Sequence, residues 1–326
     1  MKKGLFLLVL FLMALPSVAS DDVLKGDVDG DGKVNISDVS ALIDYVLTRD
    51  ATTIDLLNAD VDDDGEIGIA DVADLIDLIL QIEPEPQESI ETITIGDVTF
   101  NMVLVEGGTF EMGATPEQEI DSRYYPHCYP VHEVTLSSYS IGQTEVTQAL
   151  WVAVMGSNPS YFSDDLSCPV EQVTWYDCKS FIAKLNELTG KTFRLPTEAE
   201  WEFAARGGNK SMGYRFSGSN DLDAVAWTGD NAEGMTHPVG QKAPNELGLN
   251  DMTGNVIEFC QDWYGYDYYS ISPSINPTGP TSGDRRIKRG GGFWDNSYNG
   301  AGFAVAMRNY SDQTYSFRHT GLRLAL

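Results

Sequence analysis

Residues 27–38 and 60–71 align at a shift of 33 positions without a gap, and both carry Asp at positions 1, 3, 5 and 12 and Gly at position 6. Few features constrain a fold more, because carboxylates this close repel one another unless a cation sits between them. The spacing is that of a Ca²⁺ loop: acidic side chains converge on a hard ion, and Gly32 and Gly65 allow the sharp turn. It assigns Asp27, Asp29, Asp31 and Asp38 to one ion and Asp60, Asp62, Asp64 and Asp71 to a second. Position 7, Lys33 or Glu66, would supply a backbone carbonyl, which leaves its side chain free to vary. After each loop apolar residues recur at helical spacing, Val39, Leu42, Ile43, Val46 and Leu47, then Val72, Leu75, Ile76, Ile79 and Leu80. This predicts two amphipathic helices packed stripe to stripe, with no helix ahead of either loop.

Charge separates this segment from the rest. The chain of 326 residues has a formal net charge of −28. Residues 21–88 carry 3 bases and 20 acids, and residues 89–326 carry 16 and 29. Such a balance disfavours nucleic acid or anionic lipid as partners and suits cation binding. An apolar fraction of 42% is enough for a buried core and excludes wholesale disorder.

Residues 1–20 read as a cleaved signal peptide. Lys2 and Lys3 precede an apolar run too short to span a bilayer, and small Ser17 and Ala19 form the cleavage site. No later stretch has the length of a membrane span, so the expected location is secreted or extracytoplasmic. Four cysteines, Cys128, Cys168, Cys178 and Cys260, allow three full disulfide pairings. Cys178 and Cys260 read as a buried pair or as two inert thiols. Between the units, residues 83–89 alternate Pro and Glu and read as an extended linker.

Residues 90–326 show short alternating runs, around Val98 to Val105 and Glu133 to Ile141, with few helices. One helix is expected from near Thr144 and a second from Trp175 to Asn186, stopping before Gly190. A third opens at Thr197, where Glu200 completes a capping box, and ends at Gly207 and Gly208. The fold class is α+β with much irregular chain. Trp263, Tyr264, Tyr266, Tyr268 and Tyr269 fit either a ligand-binding surface or loop packing.

Two resemblances follow from these motifs. The loop–helix duplication over residues 24–81 resembles type I dockerins, which plug secreted proteins into cohesin domains. It implies two Ca²⁺ ions and a cohesin-like domain or cell-surface scaffold as partner. At loop positions 10 and 11, usually small hydroxyl residues in that family, stand Ile36 and Ser37, then Ile69 and Ala70. The residues alone also fit a Ca²⁺-stiffened spacer.

In residues 90–326, Glu106 to Gly113, Glu145 to Thr147, Pro169 to Trp175, Arg194 to Gly208, Gly248 to Glu258, Arg289 to Trp294 and Gly321 to Arg323 occur in the order of the formylglycine-generating enzyme (sulfatase-modifying factor) family. That resemblance implies a C-type-lectin-like fold. It implies one further structural Ca²⁺, at Asp251, Gly254, Val256 and Glu258, and a substrate-binding groove faced by Trp294, Asp295, Asn296 and Arg308. The family's oxidases hold copper on a cysteine pair whose places fall on Asp295 and Gly300, and the last cysteine here is Cys260. The family's iron branch needs a His-rich motif absent among His127, His132, His237 and His319. No copper or iron is therefore expected. No catalytic residue is assigned. The resulting expectation is a non-catalytic binding or assembly module for a peptide or carbohydrate in extracellular protein or polysaccharide processing. The alternative is a divergent oxidoreductase acting on sulfatase-type peptides or by another chemistry.

Overall fold

A computed structural model describes residues 24–52, 54–81, 90–295 and 300–326, and the chain divides into two compact units, Met1–Gln87 and Glu88–Leu326. The expected signal peptide and linker, Asn296, and the side chain of Leu80 lie outside the described residues.

The first unit is built on α1 (Ile36–Thr48), α2 (Leu56–Ala59) and α3 (Ile69–Gln81). Asn35 caps α1 by accepting from the Ser37 N–H, and Asp38 reaches back to the Asn35 N–H. Arg49, in the left-handed region at φ 59°, ends it. The single turn α2 precedes the second loop, so the expectation of no entering helix fails there. Asp55 accepts from the Leu57 N–H and nucleates that turn.

The core joins residues related by the sequence shift: Val39 with Val72, Leu42 with Leu75, and, half-buried, Val46 with Ile79. The rest of the expected stripe points outward. Ile43 and Ile76 are 39% and 41% exposed and Leu47 is 77% exposed. A two-helix unit covers only the inner edge of each stripe. Leu42→Ala should therefore cost the first unit about 2–5 kcal/mol. Leu47→Ala should stay within about 0.5 kcal/mol. Urea unfolding in Ca²⁺, followed by helical circular dichroism, distinguishes the two.

The second unit begins with β1 (Ile90–Ile95) and β2 (Val98–Val105), continues to β3 (Gly108–Met112), β4 (His132–Leu136) and β5 (Tyr139–Gly142), and then enters α4 (Gln148–Met155), α5 (Trp175–Thr189), α6 (Glu198–Ala205) and α7 (Leu222–Val225). β6 (Ile257–Trp263), β7 (Arg285–Arg289), β8 (Asn309–Asp312) and β9 (Thr320–Leu322) complete it. The sheets run β1-β2-β5, β3-β4 and β8-β7-β6-β9, and β6 pairs in parallel with β9. The single strand expected over 133–141 breaks at Ser137 and Ser138, and its halves join different sheets.

α4 starts later than the sequence suggests. Val146 exchanges backbone hydrogen bonds with Leu322 and Val170, which leaves Thr147 as the cap. α6 has the expected capping box of Thr197 and Glu200, and Gly207 follows at φ 92°. α5 ends at Gly190, φ 69°. The two larger apolar clusters of the unit centre on Trp201, Phe203 and Met252 and on Phe181, Leu185 and Phe259, and two smaller ones hold Cys128 and Phe303.

All four cysteines are free and buried, so none of the three pairings forms. Each is lodged as a small apolar side chain. Burial pushes the Cys128 and Cys168 thiols up to about 11, which removes them as nucleophiles near neutral pH.

Candidate metal centres and the groove

Each acidic loop is closed by the Asp at its twelfth position. Asp38 Oδ1 accepts from the Val28 and Asp29 N–H groups at 2.7 and 3.1 Å, and Oδ2 accepts from Asn35 at 2.8 Å. Asp71 repeats this on Val61, Asp62 and Gly68 at 2.7, 3.4 and 2.8 Å. At the first position, Asp27 Oδ2 and Asp60 Oδ2 accept from Gly32 and Gly65 at 3.0 and 3.1 Å. Their other oxygens, Asp27 Oδ1 and Asp60 Oδ1, are buried with no hydrogen-bond partner.

The same atom is orphaned in both repeats. Ligand atoms of Asp27, Asp29 and Asp31, and of Asp60, Asp62 and Asp71, lie within 4.8 Å of one another. The hydrogen bond from Asp64 N–H lowers the Asp62 carboxyl, but desolvation and the charges of Asp64, Asp71 and Asp60 leave it above its usual value. Lone pairs without donors and crowded like charges fit a hard divalent cation. Asp64 accepts from the Glu66 N–H and Asp31 from the Lys33 N–H, while the side chains of Lys33 and Glu66 remain exposed.

The quartet assigned to the larger unit is divided. Asp251, at φ 56° and 3% exposed, accepts from the Gly240 N–H at 2.7 Å through Oδ2 and keeps Oδ1 unpartnered. Burial raises its carboxyl to about 6. Glu258 is committed elsewhere. Its oxygens accept from Arg323 Nε and Nη2 at 2.8–3.1 Å and from Trp201 Nε1 at 2.6 Å. Gly254 and Val256 would enter such a site through their carbonyls; their N–H groups donate to the Gly290 carbonyl and to Glu145 Oε1. Sequence reasoning missed Glu145, a buried carboxyl raised well above its usual value by desolvation and by Asp251 and Glu258.

The groove residues also separate. Trp294 is 56% exposed with the Arg318 guanidinium 4.2 Å from its ring centre. Asp295 accepts from the Gly292 N–H, and its carbonyl accepts from the Gly229 N–H. Arg308, expected beside them, is 1% exposed and donates to both oxygens of Glu198 at 2.8 and 2.9 Å. A guanidinium withdrawn from water needs that carboxylate, and Glu198 is on α6 rather than on the groove wall. Spacing gave a sign of this. Glu198 and Glu202 stand four apart among Ala199, Trp201 and Phe203, which places acids on a face that is otherwise apolar. The aromatic run resolves mostly as packing: Tyr269 is buried, Tyr264 stacks on Tyr310 at 4.0 Å, Trp263 lies under Arg286, and Tyr266 is exposed.

Against known proteins, residues 92–326 match the sulfatase-modifying factor enzyme 1-like domain. The chain belongs to the sulfatase-modifying-factor family. The family explains the three small sheets and long loops as a C-type-lectin-like fold. Residues 25–80 match the dockerin type I domain. "Chaperone protein LppX" of Paenibacillus barcinonensis is 37% identical over 63% of this chain and 82% of its own length. A formylglycine-generating enzyme of Thermomonospora curvata is 36% identical over 55% of this chain, which spans 62% of that enzyme. The solved structure of Treponema denticola variable protein 1 superposes with a TM-score of 0.65 at 32% identity, covering 73% of this chain and 99% of that one.

Removing Ca²⁺ with EDTA should lower helical circular dichroism from the dockerin domain, because its two short helices bury little by themselves. Asp27→Asn with Asp60→Asn should weaken Ca²⁺ binding at both loops at least tenfold by calorimetry. A Ca²⁺ isotherm unchanged by both substitutions would overturn the ligand assignment.

Proposed function

We propose that this exported protein docks through its Ca²⁺-loaded dockerin domain and presents a sulfatase-modifying-factor domain that binds a ligand without oxidising it. The observation that carries the second half is the backbone at Gly300. The family's copper dithiolate needs cysteines at the places of Asp295 and Gly300. Gly300 has φ 66°, and a Cβ there would lie 2.9 Å from the Phe216 ring. A thiol at this position requires a rearranged loop, and Asp295 offers a hard oxygen poorly suited to Cu(I). Relatives named as a chaperone protein and as formylglycine-generating enzymes share the domain, so the family name leaves the chemistry open.

Docking has support on the surface of the first unit. Ile36 and Ile69, equivalent in the repeat, are 71% and 74% exposed, and Ile43 and Ile76 extend the same stripes along α1 and α3. Repeated exposed apolar side chains suit a protein partner, and a cohesin-like domain is the partner this module fits. The acidic loops beside them explain why docking would need Ca²⁺.

A Cys-x-Pro-x-Arg peptide incubated with the full chain, Cu(I) and O₂ should show no formylglycine by mass spectrometry. Turnover above a no-protein control would establish the oxidoreductase alternative instead. Ile36→Asp together with Ile69→Asp should reduce capture of a cohesin domain at least tenfold and leave Ca²⁺ binding intact. Equal capture by this variant would remove these stripes from the interface.

A further inference from the structure

The sheet β8-β7-β6-β9 places a lysine where water barely reaches it. Lys288 is 6% exposed on β7, between Asn309 of β8 and Phe259 of β6. Among the described residues its ammonium has neither a hydrogen bond nor a carboxylate within ion-pair distance. Its recorded neighbours are the rings of Phe317 at 5.2 Å and Phe259 at 6.0 Å. This is unusual here, since Arg289, the next residue along, is fully buried and paired with Glu202. Lys288 lines an open cavity of about 400 Å³. Ser311, in the same wall, has a buried Oγ with no partner.

An uncompensated buried ammonium beside an uncompensated hydroxyl is costly, and both deficits vanish when one anionic ligand enters. The other walls describe its body. Tyr310, Tyr315 and Phe317 line it, with His319 stacked on Phe317 at 5.4 Å and Tyr315 edge-to-face with Phe317 at 6.1 Å. The charge in the cavity limits the ligand to one negative group. Asp312 sits on the lining with its carboxylate held by Thr314, and Asp295 bears on Lys288 from the adjoining turn, so a dianion would be repelled. Arg285 stacks over Tyr310, and Arg318 is engaged with Trp294. Burial and the cations Lys288 and Arg318 hold His319 below the usual imidazole value, which leaves it neutral near pH 7.

We infer that this cavity binds a monocarboxylate carried on a sugar ring, a uronic acid, with the carboxylate on Lys288 and Ser311 and the ring's C–H face against the aromatic wall. This deepens the reading of the larger domain as a binding domain and rests on it. Lys288 must be charged to hold the ligand. Burial has pushed its ammonium down to about 8, so affinity falls as pH rises through that value.

Calorimetry of the full chain in excess Ca²⁺, with potassium glucuronate as the probe, tests the inference. At pH 7 glucuronate should bind at least tenfold more tightly than glucose, acetate or sulfate. Raising the pH to 9.5 should weaken it at least tenfold, and Lys288→Met should abolish it. Ser311→Ala should weaken it severalfold. Lys288→Met should leave Tm unchanged or raised, because it removes a buried, unpaired charge. Absence of glucuronate binding, equal binding of glucose, or binding that survives Lys288→Met would overturn the assignment. Acetate binding as tight as glucuronate would remove the sugar body from it. These outcomes are read independently of the formylglycine assay, so their failure leaves the non-oxidative reading standing.

Discussion

The larger domain is held together by arginines that have no contact with water. Arg289, Arg308 and Arg323 are at most 1% exposed, and each joins a carboxylate on a helix or strand to backbone carbonyls elsewhere in the domain. Arg289 pairs with Glu202 and donates to the Val305, Ala306 and Met307 carbonyls. Arg308 takes Glu198 and the His127 carbonyl, and Arg323 takes Glu258 and the carbonyls of Gly142 and Asn250. A fold with so little sheet and helix leaves many buried carbonyls without a ladder to join. A guanidinium supplies five donors in one plane and meets several at once. Burial alone would raise the Glu202 carboxyl, but Arg206 and Arg289 hold it below its usual value, so it stays ionised in the core.

This arrangement fixes what the neighbouring surface offers. Strand alternation sends Arg289 inward to Glu202 and leaves Lys288 on the opposite side of β7, facing a cavity without a carboxylate partner. Lys288 therefore lacks the ion pair that its neighbour Arg289 has. Buried charges without counter-ions are retained where something else supplies the counter-charge, and a cavity with an aromatic wall is where a ligand can do so. The surface at Trp294 is built differently, with the half-buried Arg318 guanidinium 4.2 Å from the centre of the exposed indole.

Local rules made much of this legible. The Thr197–Glu200 capping box and the stops at Gly190 and Gly207 depend on residues within a few positions of each other, and each formed as written. Legibility ended where a long-range partner decided the outcome. Arg308 reads as a groove residue from its place in the family pattern, but Glu198, 110 positions away, holds it in the core. Glu258 looked like a metal ligand until Arg323 occupied both its oxygens. Ile43 and Leu47 fit the helical stripe, yet a two-helix unit has no third surface to cover them. The cysteines satisfied the count for disulfides, while packing placed Cys128, Cys178 and Cys260 in different apolar clusters.

The two units therefore answer the same electrostatic problem in opposite ways. Both concentrate carboxylates, but the larger domain carries arginines that neutralise its buried Glu198, Glu202 and Glu258 from within the chain. The dockerin domain carries only three basic residues against its acids within 21–88 and turns those acids onto backbone N–H groups, with one oxygen left bare in each loop. Backbone dipoles orient a carboxylate without cancelling its charge. The missing positive charge would come from outside the chain, and a hard divalent cation of the kind dockerin domains bind meets that need.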